Sequence, residues 1–80
     1  MTTLECVQRR FTELCDERRI AFYALATISG VHPSTVKSLL NGKSQNPGIV
    51  TIKKLCDGLD ISLNEFFNTD YFRSLEQEIR

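Results

Sequence analysis

The chain has 80 residues, 41% hydrophobic and 25% charged, which is an ordinary composition for one small globular domain. Ten basic and ten acidic residues cancel, so the net charge alone points to no particular partner. No apolar run approaches the roughly 20 residues that span a bilayer, and the N-terminus lacks the hydrophobic block of a signal peptide, so we expect a cytoplasmic protein outside the membrane.

The first predicted element is an amphipathic helix. Thr2 followed by Glu5 is a capping-box pattern that can start it. Arg18 and Arg19 suit its last turn, where positive charge meets the negative end of the helix dipole. Apolar residues recur at spacings of three and four along one side: Leu4, Val7, Phe11, Leu14 and Cys15.

Two shorter helices follow around a glycine. The second is predicted over 22–29 and stops at Gly30, because glycine reaches the left-handed conformation that a sharp turn requires. Val31 then fills the turn as an apolar residue. The third helix opens at His32 with Pro33 in its first position, where a missing N–H does no harm. It ends before an Asn-Gly pair, and its buried side comprises Val36, Leu39 and Leu40.

A polar loop leads to the fourth and fifth helices. The fourth is predicted from about Gly48 to Leu59, with its inward residues spaced by three and four. Ser62 and Glu65 form a second capping-box pattern, which starts a short fifth helix. The residues expected to face inward are Ile49, Ile52, Leu55, Cys56 and Leu59 on the fourth helix, and Leu63, Phe66 and Phe67 on the fifth.

Residues 69–80 form a C-terminal tail. Tyr71, Phe72, Leu75 and Ile79 fit one side of a terminal helix, and we identify them as candidates for a dimer interface. Two interpretations stay open for these four residues. They pack on the core of their own chain, or they pack against a second copy.

Charge is distributed unevenly along the chain. Between Glu17 and Asp57 there is no acidic residue, and six basic residues lie in that interval. A long segment with one sign of charge favours an anionic partner, although a solvated basic face would have the same composition.

Three cysteines and one histidine raise the alternative of a zinc site with His32 as the fourth ligand. However, there is no C-x2-C pair and no second histidine, so we expect neither a metal nor another cofactor. Cys15 and Cys56 fit buried core positions better. No nucleophile stands beside a base, and no glycine-rich phosphate loop or small-molecule site is evident, so we also expect no enzyme.

The pair of helices around Gly30 has the pattern of a helix-turn-helix. Ala26 is small enough for two helices to approach closely, and Gly30 makes the turn. Such a unit presents the outer side of its second helix to the DNA major groove, N-terminal end first. An ordinary helical corner is the alternative. The apolar positions that form the shared interior are Leu25, Val31, Val36 and Leu39.

Together these motifs resemble the Cro/cI-type (XRE, lambda-repressor-like) DNA-binding domain. The resemblance covers Ile20 to Phe67, and Leu4 to Arg19 fits as the family's first helix. The motifs are Leu-Ala followed by Ser-Gly-Val, then Ser-Thr-Val, Asn-Gly-Lys and Pro47. The resemblance implies an all-α, compact five-helix bundle over residues 1–68. It also implies a transcriptional regulator of the repressor kind that binds double-stranded DNA as a homodimer and inserts helix 33–40 into the major groove.

The family's contact positions fall on two groups of residues here. A lysine can donate to guanine O6 and N7, a serine can pair with any base, and a proline can cover a thymine methyl. The positions implied to face bases are His32, Pro33, Ser34, Lys37 and Ser38. The positions implied to contact the DNA backbone are Phe22, Tyr23, Thr35, Asn41, Lys43, Ser44, Gln45 and Asn46.

The chain departs from the family at three positions. Many members have Gln where this chain has Phe22, and the hydroxyl of Tyr23 is the available substitute. Many also pair an Arg on the first helix with a Glu on the recognition helix, where this chain has Cys15 and Leu40. Apolar groups can replace a buried ion pair without loss of stability.

A protein-interaction module, such as an antitoxin or an accessory subunit, is the alternative function for the same fold. The neutral net charge favours that alternative slightly, whereas the acid-free segment opposes it.

Overall fold

A computed structural model describes residues 1–43 and 46–79. In this part of the chain all regular structure is helical, which confirms the all-α prediction, and no helix there is long and apolar enough to cross a membrane. The helices, in chain order, are α1 (Thr3–Arg18), α2 (Phe22–Ser29), α3 (Pro33–Leu40), α4 (Ile49–Gly58), α5 (Leu63–Phe67) and α6 (Asp70–Arg73).

Hydrogen bonds from local side chains fix where α1 and α5 begin. The Thr2 hydroxyl accepts the Glu5 N–H over 3.1 Å, and the Glu5 carboxylate accepts the Thr2 N–H over 2.8 Å. At α5 the Ser62 hydroxyl accepts the Glu65 N–H over 3.0 Å. These bonds satisfy amides that have no partner inside the helix, so both predicted helix starts are confirmed.

Four helices end in the same way, with one residue in the left-handed conformation. The amide of the next residue then donates back to the carbonyl five positions earlier, which closes the last turn. The left-handed residues are Arg19, Gly30, Gly42 and Asp60, and those that follow them are Ile20, Val31, Lys43 and Ile61. The sequence indicated the two glycines but not Arg19 or Asp60.

The core lies between α1, α2, α3 and α4 and is closed by α5. Phe11 and Phe66 are both fully buried, with ring centroids 4.5 Å apart. All three cysteines are buried free thiols, and burial raises the pKa of Cys56 to about 11. Across residues 1–43 and 46–79, no three His, Cys, Asp or Glu side chains are grouped so that they could hold a metal ion.

The prediction for Ile49 was wrong, because its side chain is 57% exposed. Ile49 is the first residue of α4, and the next inward position, Ile52, is only 5% exposed. A spacing of three and four identifies the inward side of a helix but not how far along the helix the core extends. The core begins one turn later than the pattern indicates.

The terminal helix is too short to place all four predicted residues, from Tyr71 to Ile79, on one of its sides. It ends at Arg73, so Leu75 and Ile79 lie outside it. A straight helix from residue 70 to 79 would extend about 15 Å. Instead, the tail returns to the start of α1, where the Thr3 hydroxyl donates to the Glu78 carboxylate over 2.7 Å.

Candidate nucleic-acid interface

Gly30 closes the turn between α2 and α3. Its φ is 66°, in the left-handed region that favours glycine. The amide of Val31 then donates to the Ala26 carbonyl over 3.1 Å, which reverses the chain at the end of α2. Ala26 and Leu25 are fully buried in the core. The chain therefore contains the predicted helix-turn-helix, with α3 held against α2.

Helix α3 has one side in the core and one side outside. Val36 and Leu39 are each 1% exposed, whereas Ser34 and Lys37 are exposed to solvent. Residues three and four apart lie on the same side of a helix, so Ser34, Lys37 and the half-buried Ser38 share the side opposite the core. A polar outer side is what insertion of α3 into a groove requires.

His32 caps the start of α3. Its Nδ1 accepts the Ser34 N–H over 3.1 Å and lies 2.7 Å from the Ser34 hydroxyl oxygen. Pro33, at the first helical position, is half-buried. The sequence predicts His32 at the helix entrance but does not predict this cap, because histidine is not among the preferred N-cap residues. The residues predicted to face bases thus form one continuous stretch, from the N-cap along the outer side of α3.

Among the described residues, no side chain caps the N-terminus of α2 or α4. Their N-cap residues are Ala21 and Gly48, neither of which can accept a hydrogen bond through its side chain. The other four helices have such a cap. The first-turn amides of an α-helix lack acceptors within the helix, so those of α2 and α4 are available to an external anion. The absence of Ser, Thr, Asp or Asn at these two positions is the sequence signal from which the uncapped helix starts could have been predicted.

Lys43 departs from the pattern at the ends of the helices. After the other left-handed residues the chain continues with Ile20, Val31 or Ile61, which are buried or pack partly against the core. Lys43 stands at the matching position after α3 and is exposed. Its amide donates to the Asn41 side chain over 3.2 Å. The loop therefore directs a cation outward where the other three turns direct an apolar side chain inward.

The remaining residues predicted to contact the DNA backbone differ in exposure. Thr35 and Asn46 are exposed, and Tyr23 is 62% exposed. Phe22 is half-buried against the core, so its backbone N–H, not its ring, is available for a phosphate. Two predicted residues lie outside the described part of the chain: Ser44 and Gln45.

Within the described part of the chain, the positive charges of Lys37 on α3 and Lys43 after it are not neutralised by an acidic side chain. Lys53 pairs with Asp57, the first acid after the acid-free segment. Lys37 and Lys43 are exposed, and among the described residues no carboxylate lies within ion-pairing distance of either. Both cations are therefore free to attract a polyanion.

The family's ion pair between the first and recognition helices is replaced by apolar packing. Cys15 is 6% exposed, and burial raises the pKa of its thiol. Leu40 is half-buried and packs against the core. Leu40 therefore belongs to the interior and not to the outer side of α3.

Two of the four candidates for a dimer interface pack on their own chain. Phe72 lies 5.0 Å from Phe67 between ring centroids, and the Tyr71 hydroxyl donates to Glu13. Leu75 is half-buried, whereas Ile79 is 86% exposed. These contacts show that the tail folds back on its own chain, while the dimer through the tail stays a prediction.

Comparison with known proteins agrees with this geometry. A family model for the Cro/C1-type helix-turn-helix DNA-binding domain matches residues 10–70. The chain is also similar to the crystal structure of the prophage Lp1 protein 11. That similarity has a TM-score of 0.80 and 33% sequence identity, and it covers 94% of this chain and 100% of that one. No curated protein matches the chain.

Proposed function

Because the chain belongs to the Cro/C1-type helix-turn-helix DNA-binding family, we propose that it is a sequence-specific regulator of transcription that acts as a repressor. One observation carries the proposal. Ser34 and Lys37 are exposed on α3, while Val36 and Leu39 on the same helix are buried. The polar side of the recognition helix is therefore accessible to a partner.

We propose that α3 enters the major groove with its N-terminal end leading. The groove is about 12 Å wide and admits an α-helix. Lys37 would donate to guanine O6 or N7, and Pro33 would cover a thymine methyl. Ser34 and Ser38 would contact neighbouring base edges. These contacts would select the sequence.

Three features beside α3 would hold the phosphates. The free amides at the N-termini of α2 and α4 favour anions, since the positive end of each helix dipole adds to the amide hydrogen bonds. Lys43 adds a full positive charge after α3. Phosphate contacts of this kind fix register and supply affinity without reading sequence.

A homodimer would complete the binding site. An eight-residue helix such as α3 is about 12 Å long, so one copy can read only a few base pairs. Two copies on a roughly palindromic operator would place their recognition helices in successive major grooves, about 34 Å apart. The exposed Ile79 and the half-buried Leu75 are the residues of the tail through which we expect the copies to meet.

The salt dependence of binding to duplex DNA tests the proposal. The affinity for duplexes selected from a random pool, and for an unselected duplex, is measured by fluorescence anisotropy at several salt concentrations. We expect the logarithm of affinity to fall linearly with that of salt, with a slope near −0.9 per phosphate neutralised. We also expect the selected duplex to bind more tightly than the unselected one.

Two results would reject this function. No detectable affinity for any duplex at low salt would favour the protein-interaction module. Equal affinity for selected and unselected duplexes would leave a DNA-binding protein without sequence specificity. The repressor role is tested separately: a reporter gene with the selected sequence in its promoter should be expressed less when the chain is present.

A further inference from the structure

The contacts of His32 determine which of its ring nitrogens carries the hydrogen. Nδ1 lies 3.1 Å from the Ser34 backbone nitrogen. A backbone N–H can only donate, so Nδ1 must be the acceptor and carries no hydrogen. The hydrogen of the neutral imidazole is therefore on Nε2.

This protonation pattern orients the Ser34 hydroxyl. Its oxygen lies 2.7 Å from the same Nδ1. Since Nδ1 has no hydrogen to give, the hydroxyl must be the donor, and it shares the single lone pair of Nδ1 with the Ser34 N–H. A serine hydroxyl has one hydrogen and two acceptor lone pairs. With its hydrogen directed at His32, the exposed oxygen of Ser34 offers only acceptors to a partner.

We propose that His32 is a positioning residue that fixes Ser34 as a hydrogen-bond acceptor, and that Ser34 reads an exocyclic amino group in the major groove. The inference rests on the proposed DNA-binding function. Adenine N6 and cytosine N4 are the donors that bases present there, whereas guanine O6 and N7 and thymine O4 are acceptors. An unrestrained serine pairs with either kind, so the bond to His32 adds a selectivity that serine alone lacks.

Ser38 provides a matched comparison on the same helix. It shares the outer side of α3, and among the described residues its hydroxyl forms no hydrogen bond. Its hydroxyl can therefore rotate to donate or accept. The two serines differ in the His32 contact, so substitutions at Ser38 control for the general loss of a hydroxyl from this surface.

The first test removes the amino group from the DNA. An operator is selected with the wild-type protein, and the base pair whose preference changes in Ser34→Ala is identified. The amino-bearing base of that pair is then replaced by an analogue without the amino group, purine for adenine or 2-pyrimidinone for cytosine. We expect wild-type affinity to fall roughly three- to tenfold, the equivalent of one hydrogen bond. The same analogue should not weaken binding by the Ser34→Ala variant. It should weaken binding by Ser38→Ala as much as it weakens binding by the wild type.

The second test releases the hydroxyl from His32. Glycine is accepted at the N-cap, so His32→Gly should preserve α3 while freeing Ser34 to donate. We expect the loss caused by the analogue to be at least about twofold smaller in this variant than in the wild type. An equally large loss in a folded His32→Gly variant would overturn the positioning role.

A third measurement does not depend on any variant. His32 is the one histidine of the chain, so its ring nitrogens are assigned directly in a two-bond proton–nitrogen NMR spectrum. We expect the neutral ring to carry its hydrogen on Nε2, and a hydrogen on Nδ1 would overturn the inference. If the protein selects no sequence, the proposed function fails and the inference with it. If it selects an operator that tolerates loss of the amino group, or in which Ser34→Ala changes no base preference, only the assignment of Ser34 is overturned.

Discussion

Ser29 occupies the space beside Gly58 that any larger residue at position 58 would need. A Cβ at Gly58 would lie 2.0 Å from the Ser29 hydroxyl oxygen, 3.1 Å from its Cβ and 3.3 Å from Cγ1 of Ile28. Gly58 is the last residue of α4, and Ser29 is the last residue of α2. The absence of a side chain at Gly58 therefore sets how closely these two helices approach.

Gly58→Ala should destabilise the fold, although replacing glycine by alanine within a helix ordinarily stabilises it. We expect the free energy of unfolding to fall by about 1–3 kcal/mol, because the added methyl overpacks the contact between α2 and α4. Urea denaturation measures the change. A double-mutant cycle with Ser29→Ala provides the control. Ser29→Ala removes the closest atom, so the cost of Gly58→Ala should be smaller in that background, and an equal cost would contradict the contact.

Gly48→Asp should have opposite effects on stability and on DNA binding. A carboxylate at this N-cap would accept a first-turn amide of α4 and interact favourably with the helix dipole, raising the free energy of unfolding by about 0.5–1 kcal/mol. The same carboxylate would occupy the amides proposed for a phosphate and repel it. Thermal unfolding and duplex affinity are measured together. Asn64→Asp adds the same charge on α5 and should not weaken binding.

Substitutions of Lys37 and Lys43 should reduce the affinity for DNA in different ways. Lys37→Ala should cost about 1–3 kcal/mol on the selected operator and much less on an unselected duplex, since Lys37 is proposed to read a base. Lys43→Ala should weaken both complexes equally and reduce the salt slope by about 1, since its proposed contact is a phosphate. If Lys37→Ala lost the same affinity for the selected operator and for the unselected duplex, Lys37 would instead be assigned to a DNA backbone contact.

Tyr71 should make stability depend on alkaline pH. Partial burial, and then the hydrogen bond to Glu13, raise the pKa of Tyr71 to about 12. A raised pKa means that the stabilisation is complete below the unfolded pKa of about 10 and is lost as the pH rises through about 12. The difference in the free energy of unfolding between wild type and Tyr71→Phe should shrink across that interval. The control Tyr23→Phe removes the exposed hydroxyl of the other tyrosine of the chain.

Glu13 should make the stability of the fold depend on acidic pH. The hydrogen bond from Tyr71, and then Arg9, lower the pKa of Glu13. A depressed pKa gives stability that is present above the unfolded pKa and is lost as the pH falls through the folded value. Tyr71→Phe should weaken this acid-side loss as well, which a stability curve at low pH would detect.

Ile79→Lys should weaken self-association if the tail forms the dimer interface. Ile79 is the most exposed of the large apolar side chains, and a charge there would oppose burial against a second copy. Sedimentation gives the mass as a function of concentration. Ile28→Lys is the matched control, since Ile28 is 59% exposed on α2 and is not part of the tail. Truncation after Asn68 should have a similar effect, and an unchanged mass in both variants would exclude the tail as the dimer surface.

The elements that depend on local interactions were predictable from the residues that form them. The predicted bounds of α2 and α3 agree with the structure, because Gly30 can adopt the left-handed conformation that ends α2 and Pro33 has the fixed φ that suits the start of α3. The capping bonds of Thr2 and Ser62 join groups three residues apart. Such interactions are complete within one turn of helix, so they do not depend on the rest of the fold.

The contacts between distant parts of the chain could not be predicted in this way, because they depend on how the helices pack together. Arg10 on α1 donates to the carbonyls of Phe66 and Glu65 on α5, which lie 56 and 55 residues away. The return of the tail to α1 and the exposure of Ile49 also depend on where other helices lie. A helical period identifies which side of a helix turns inward. The period does not indicate how far a residue lies from the neighbouring helix, because that distance is set by the packing of all the helices together.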